Sequence, residues 1–176
     1  MSTFKLNNFS PMQIGGWARV KLSDGKLDHI GKIYRAGDFR VLPQGDNIVL
    51  RGTVTVPEPR AKFCGDAYLY NRLKIRNRNL LLCAKDATFR MQMIINKRIG
   101  KIDVDELEPI EIRNFHMEDD KGLRSSALAW PFNKIRDNEL NKQKYQLMST
   151  LQQQLCNDFR QIVAKPEVKD EILRLV

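Results

Sequence analysis

The residues that could perform catalysis are few, and they lie in no recognised catalytic motif. The chain has two histidines, and it contains no G-x-S-x-G, no G-x-x-x-x-G-K-[ST], no G-x-G-x-x-G and no H-E-x-x-H. The least implausible catalytic group is His116 with Glu118 and Asp119. Because Lys121-Gly122 follows closely, this stretch is more typical of a strand that ends in a turn. We therefore expect a non-enzymatic protein.

The acidic and thiol groups show no metal-binding spacing. The acidic stretch 103–108 could supply the oxygens that Mg²⁺ or Ca²⁺ requires, but it lacks the glycine and the ligand spacing of a calcium loop. An acidic connection between strands is the simpler interpretation. Cys64, Cys83 and Cys156 are odd in number and form no C-x-x-C pair. We expect no metal, no cofactor and no disulfide framework, and a reducing compartment such as cytoplasm or nucleus.

The basic residues are concentrated in one part of the sequence. The net charge is +9, and the segment from Arg60 to Lys101 holds eleven basic and two acidic residues, whereas the rest balances at 19 and 19. Such clustering attracts phosphates and anionic surfaces. Within it, Arg72, Lys74, Arg76 and Arg78 alternate with other residues, so a strand would place them in one row. The alternative is a solvated face that only aids solubility.

The periodicity predicts strands first and helices last. Two-residue alternation indicates strands at 17–22, 30–35, 39–42, 47–56, 71–78, 88–96 and 109–117, and Ser23-Asp24-Gly25-Lys26 is typical of a hairpin turn. From Asp137 to Lys165 apolar residues recur three or four apart, which predicts a long amphipathic helix. Pro166 can begin a short final helix.

These elements predict an α+β fold. We expect a mostly antiparallel β-rich body, a sandwich or open barrel, closed by the two C-terminal helices. Residues 1–16 are predicted to be a flexible N-terminal arm, and residues 17–176 a single domain. No apolar run approaches the ~20 residues of a transmembrane helix, and the N-terminus lacks a signal-peptide pattern.

A local stretch resembles a known family. Cys64-Gly65-Asp66-Ala67-Tyr68-Leu69, followed by Asn71-Arg72-Leu73-Lys74, resembles the matrix proteins of rhabdoviruses, and the short chain is similar to those of plant-infecting members. The proline-rich P-P-x-Y budding motif of many animal-virus matrix proteins is absent. The resemblance implies a structural protein of the virion that condenses the nucleocapsid, self-associates through its N-terminal arm and bridges to the inner face of the envelope.

Two functional hypotheses follow. The first is a viral matrix-like assembly protein that binds nucleocapsid RNA and, peripherally, an anionic membrane, and that forms oligomers in host cytoplasm or nucleus and in the virion. Its anion-binding candidates are basic residues: Arg72, Lys74, Arg76, Arg78, Arg90, Lys97 and Arg98. Its self-association candidates are Phe4 and Phe9. The second is a single-stranded nucleic-acid-binding protein of OB-like β architecture. In that hypothesis three aromatic residues stack on bases: Tyr68, Tyr70 and Phe89.

Overall fold

The computed structural model of the protein describes residues 5–6, 9, 11–29, 33–119 and 137–175. The described strands are β1 (Lys5–Leu6), β2 (Met12–Ile14), β3 (Ala18–His29), β4 (Tyr34–Arg35), β5 (Arg40–Gln44), β6 (Asn47–Pro57), β7 (Arg60–Leu69), β8 (Leu73–Cys83), β9 (Asp86–Asn96), β10 (Lys101–Arg113) and β11 (His116–Asp119). Two helices follow, α1 (Asp137–Val163) and α2 (Pro166–Leu175). The strands are mostly antiparallel, so the predicted α+β class is confirmed.

The chain forms two compact units, each assembled from separate segments. The first unit contains residues 1–31, 57–86 and 112–147, and the second contains residues 32–56, 87–111 and 148–176. Compact units are not by themselves separate domains, so the single domain expected over residues 17–176 stays a prediction. Length and composition could not reveal the division, because each unit is built from segments that are distant in sequence.

The first unit holds a six-stranded sheet. Its strand order is β1-β3-β7-β8-β11, and β2 also pairs with β3. Alternate side chains of β3 and β7, among them Val20, Leu22 and Ala67, are buried on one side of this sheet. The residues between them point to the opposite side, because successive side chains of a strand alternate. Arg19, Lys21, Lys74 and Arg76 lie on that opposite side.

The described part of residues 1–16 belongs to the first unit. Met12 is fully buried and Ile14 nearly so, and β2 pairs antiparallel with β3. Phe9 is also buried, with its ring edge-on to Phe63 at a centroid distance of 4.8 Å. These residues of the arm predicted over 1–16 therefore pack on their own unit, where burying their apolar side chains offsets the entropy lost in ordering the segment.

A β-bulge replaces the hairpin predicted at residues 23–26. Strand β3 runs through this stretch, and its register against β7 shifts between Ser23, opposite Cys64, and Lys26, opposite Lys62. Asp24 has a φ of 52°. The Asp-Gly pair favours positive φ, which a bulge uses as readily as a two-residue turn. The extra residue keeps β3 paired with β7 along its length.

The second unit holds a five-stranded sheet and most of the helical residues. Its strand order is β10-β9-β6-β4, and β5 also pairs with β6. Leu151 and Leu155 are fully buried on one face of α1, as the amphipathic pattern predicts. Arg160 donates a hydrogen bond of 3.3 Å to the carbonyl oxygen of Val104 in β10. The acidic stretch 103–108 lies within β10, so the predicted acidic connection is wrong.

Neither of the two described helices is long and apolar enough to cross a membrane.

Candidate nucleic-acid interface

Three strands of the first unit place a tyrosine between two cations. Arg19 in β3 lies directly opposite Tyr68 in β7, and Tyr68 lies directly opposite Lys74 in β8. The Arg19 guanidinium carbon is 5.2 Å from the centre of the Tyr68 ring, and the Lys74 ammonium is 5.4 Å from it. Both distances are within the range of cation–π contacts. The row thus combines two exposed positive charges with a half-buried aromatic ring.

A second row lies beside the first. Lys21 in β3 is opposite Asp66 in β7, which is opposite Arg76 in β8. The Asp66 carboxylate accepts hydrogen bonds of 2.7 and 3.0 Å from Arg76, and the Lys74 ammonium is 3.0 Å from it. We call the surface formed by Arg19, Lys21, Tyr68, Lys74 and Arg76 the cationic face. Asp66 is buried beneath it and is the acid that holds two of its cations in place.

The pKa values of these groups reflect that arrangement. Hydrogen bonds from Arg76 and then from Lys74 lower the pKa of Asp66 below its usual value, against the opposing effect of burial. In turn, Asp66 raises the pKa of Lys74 and that of Arg76. All three groups therefore stay ionised at neutral pH, and the cationic face keeps a net positive charge because Arg19 and Lys21 are present as well.

Two aromatic rings lie at one end of the cationic face. Tyr70 is in the turn between β7 and β8, and Trp17 immediately precedes β3. Tyr70 and Asn71 have φ values of 48° and 56°. Two successive residues with positive φ are typical of a tight hairpin turn. The Tyr70 side chain is 74% exposed, and its ring lies 6.3 Å from that of Trp17 at an angle of 37°. Exposure on this scale makes Tyr70 available for stacking.

A shallow cavity of about 240 Å³ lies between these rings and the cationic face. Its lining includes Trp17, Arg19, Tyr68 and Tyr70. Typical small-molecule sites measure ~300–1,000 Å³, so this cavity suits one flat group rather than a complete ligand. An aromatic base with a phosphate on either side has the shape and charge that these side chains match.

The predicted basic residues are divided between the two units. Arg72 is exposed in the turn beside Tyr70, and Lys74 and Arg76 lie on the cationic face. The Arg78 side chain lies outside the described part of the structure. The other three are exposed residues of the second unit: Arg90, Lys97 and Arg98.

Two of these second-unit cations have acidic neighbours. Arg90 donates a hydrogen bond of 2.9 Å to Glu108, and the Arg98 guanidinium lies 4.0 Å from Asp46. Each pair is exposed to solvent. These two cations belong to the second unit, whereas the cationic face lies in the first.

Two of the aromatic candidates are buried. Phe89 is fully buried in the second unit, so its assignment as a stacking residue is wrong. Its position in the alternation of β9 points it into the core. Phe9 packs on Phe63 of its own unit and is not exposed for self-association, whereas Phe4 lies outside the described residues. Only Tyr68 and Tyr70 of the three predicted stacking residues reach the surface.

Sequence reasoning missed Trp17, Arg19 and Lys21. The alternation of residues 17–22 predicts a strand, but it does not show which strand lies beside it. Because β3 pairs with β7, these residues join the basic residues that follow some fifty positions later. The signal was present in the alternation, but the pairing of strands was needed to use it.

The remaining candidate residues are not part of the cationic face. Asp103 contacts Lys101 at 2.8 Å, which lowers the pKa of Asp103, and Asp105 accepts a bond of 2.6 Å from Gln92. His116 lies 2.8 Å from Glu118 at the far edge of the six-stranded sheet, and the Asp119 side chain is outside the described residues.

Comparison with known proteins adds no family. No protein-family model matches the chain, and no curated protein sequence matches it either.

Proposed function

We propose that this chain is a non-enzymatic, matrix-like assembly protein that binds single-stranded nucleocapsid RNA through the cationic face. The observation that carries the proposal is the row in which Tyr68 lies between Arg19 and Lys74, beside the exposed ring of Tyr70. Proteins that bind single strands without sequence preference combine a basic surface that follows the backbone with aromatic rings on which bases stack. The resemblance to rhabdovirus matrix proteins makes nucleocapsid RNA the expected target.

The arrangement favours a nucleic acid over a membrane surface. Anionic lipids are attracted by basic residues alone, at ~1 kcal/mol for each Lys or Arg near the surface. Such attraction needs no exposed aromatic ring beside the cations. A single strand uses both features, because its phosphates contact Arg19 and Lys74 while a base stacks on Tyr70. The proposal assigns the cations of this face to phosphates, whose contacts carry no sequence information, so we expect little sequence specificity.

The alternative hypothesis, a single-stranded nucleic-acid-binding protein of OB-like architecture, predicts binding through the same cationic face. The two hypotheses differ in self-association, which only the matrix-like protein requires. Light scattering of the purified protein across a concentration series separates them: growth of large assemblies supports the matrix-like function, and a constant monomer mass supports the alternative. Deleting residues 1–16 is not a suitable variant, because Phe9, Met12 and Ile14 are buried in the first unit.

RNA binding is tested by its dependence on salt. The anisotropy of a labelled single-stranded RNA of about 12 nucleotides, a length within the site sizes of single-strand binders, is titrated at several salt concentrations. Each phosphate contact contributes about 0.7 to the slope of log K against log salt. If each cation contacts one phosphate, Arg19→Gln with Lys74→Gln lowers the slope by ~1.4.

The matched control removes two cations from the second unit, Arg90→Gln with Arg98→Gln. We expect its slope to equal that of the wild-type protein. An equal fall in both double variants would mean that binding follows net charge and not the cationic face. Vesicles containing phosphatidylserine provide the second arm: tight binding to vesicles together with failure to bind RNA would overturn the proposal.

A further inference from the structure

A thiol, an imidazole and a carboxylate meet at one edge of the six-stranded sheet. Cys83 at the end of β8 is the direct partner of His116 at the start of β11, and Glu118 follows two residues later on the same side of β11. One potential ligand atom from each of the three residues lies within 4.8 Å of the others. Cys83 is buried, whereas about half of the His116 and Glu118 side-chain surface is exposed. The group is therefore anchored in the core and open on one side.

The imidazole of His116 is oriented by the backbone. Its Nδ1 lies 2.7 Å from the carbonyl oxygen of Asn114. A carbonyl oxygen only accepts hydrogen bonds, so Nδ1 carries the proton in this contact. Asn114 has a φ of 51°, a conformation that asparagine tolerates better than most residues. A backbone carbonyl that fixes the other ring nitrogen is the usual companion of a metal-binding histidine.

The second nitrogen, Nε2, then carries a lone pair in the neutral ring. It lies 2.8 Å from Oε1 of Glu118. Two electron pairs that face each other at this distance repel unless a cation lies between them or beside them. A proton on the imidazole can supply this positive charge, and so can a metal ion bound by both groups. The thiol of Cys83 supplies a third donor atom, within 4.8 Å of the other two.

We propose that Cys83, His116 and Glu118 form a binding site for Zn²⁺ or a similar thiolate-preferring divalent metal ion. Sulfur, imidazole nitrogen and carboxylate oxygen are the ligands that Zn²⁺ takes in proteins, at distances of ~2.0–2.3 Å. Tetrahedral geometry at these distances separates the ligand atoms by roughly 3.3–3.6 Å. Atoms within 4.8 Å of one another reach that separation through small side-chain rotations. Water occupies the fourth position on the exposed side.

The same geometry disfavours a cysteine nucleophile. A catalytic cysteine needs a histidine nitrogen that accepts its proton. Here one ring nitrogen contacts Asn114 and the other contacts Glu118. Arg60 lies opposite Cys83 on the β7 side, and its guanidinium is 3.5 Å from Glu58, which offsets its charge near the site. Three metal-ligand types around a backbone-oriented imidazole therefore favour metal binding over covalent catalysis.

Metal binding would join the end of β8 to the edge strand β11. Strand β11 is only four residues long and pairs with β8 alone within the described sheet. The inference does not depend on RNA binding, because the ligands lie on β8 and β11 and not among the residues of the cationic face.

The test uses the full chain, stripped of metal with a chelator. Zn²⁺ affinity is measured by competition with a chromophoric chelator, and Co²⁺ is added separately as a spectroscopic probe. We expect one equivalent of metal to bind, and Co²⁺ to give the near-ultraviolet band of a thiolate ligand. Cys83→Ser removes that band. Glu118→Gln weakens Zn²⁺ binding by at least roughly 10- to 100-fold, because even the loss of a group that hydrogen-bonds a metal ligand has an effect of this size.

Matched controls are Cys156→Ser, a half-exposed thiol of α1, and Glu111→Gln, an exposed acid of β10. Both should bind metal as the wild-type protein does. Because Glu118 is partly exposed, Glu118→Gln should fold normally even if Cys83→Ser does not. Absence of the cobalt band in the wild-type protein overturns the proposal. Unchanged Zn²⁺ affinity in Glu118→Gln and His116→Gln overturns it as well.

Discussion

The Asp66 carboxylate is the acid on which two cations of the cationic face converge, and Asp66→Asn tests what it does. The substitution keeps the size of the side chain and one acceptor oxygen, but it removes the negative charge. In the wild-type protein this carboxylate accepts two hydrogen bonds from Arg76 and contacts Lys74 at 3.0 Å. We expect the variant to fold, with lower stability and with Arg76 and Lys74 more available to phosphates.

The size of the stability loss follows from the exposure of the partners. Hydrogen bonds to charged groups contribute ~1.5–3 kcal/mol, whereas exposed ion pairs contribute ~0–1 kcal/mol. The Asp66 side chain is only 9% exposed, but those of Lys74 and Arg76 are 44% and 48% exposed, so solvent screens the interaction. Since asparagine retains an acceptor, we expect Asp66→Asn to lower the free energy of unfolding by about 1–1.5 kcal/mol, between the two ranges.

The same interaction gives a pH dependence with a defined sign. The pKa of Asp66 is lowered in the folded protein, while an aspartate in an unfolded chain has a pKa of about 3.9. Its stabilising contribution is therefore complete above about pH 4 and is lost as the pH falls through the lower, folded-state pKa. Asp66→Asn should lack this component of acid destabilisation, so the difference in stability between the two proteins should shrink below pH 4.

Urea denaturation at pH 7 and at pH 3 measures the loss of stability and its dependence on pH. The RNA titration measures whether the freed cations contact phosphates. Lys74 already contacts a phosphate in the proposed complex, so the newly freed Arg76 should steepen the salt dependence of RNA binding by up to about 0.7 in slope. A variant as stable as the wild-type protein at pH 7 would refute the account of Asp66. A variant that is less stable but has an unchanged salt slope would refute only the link between Asp66 and RNA binding.

Two further predictions concern a stacking residue and a close contact. Tyr70→Ala should weaken RNA binding by ~1–3 kcal/mol without changing the salt slope, because the lost interaction is uncharged stacking; a reduced slope in the same titration would assign Tyr70 to phosphate contact instead. Gly52→Ala should lower the free energy of unfolding by ~1–3 kcal/mol, because a Cβ atom there would lie 2.5 Å from the ring of Phe39. Adding Phe39→Ala should recover part of that loss in urea denaturation, and strictly additive losses would show that the ring is not the obstacle.

The secondary structure was largely predictable because its signals are local. The helix predicted from Asp137 to Lys165 is observed from Asp137 to Val163, and Pro166 begins the final helix. The run of β-branched residues predicted as a strand over 47–56 is observed as Asn47–Pro57. In each case the period of the apolar residues and the nearby prolines carry the information within the segment itself.

The errors arose where structure depends on distant partners. Asp24-Gly25 favours positive φ in a turn or in a bulge, and only the pairing of β3 with β7 decides between them. Phe89 and Tyr68 both lie in alternating segments, yet one is fully buried and the other is half-exposed. Which face of a strand becomes buried depends on the register and on what covers it, which a single segment does not encode.

Cys83 and His116 show the same limitation at the candidate metal site. They are far apart in sequence and form no spacing motif, but antiparallel pairing makes them direct neighbours. Motif searches find ligands that one turn or one helix holds together. Ligands contributed by two strands become visible only with the register of the sheet.

The interleaved segments of the two units have a consequence for synthesis of the chain. The first unit takes its segments from residues as late as 112–147, and the second from residues as late as 148–176. During translation, neither unit has all of its segments until most of the chain has left the ribosome. The synthesis of the two units therefore overlaps, whereas in many larger proteins one domain is complete before the next is made. A ribosome stalled before residue 112 would hold two incomplete units, and both would expose apolar strands to chaperones or to other nascent chains.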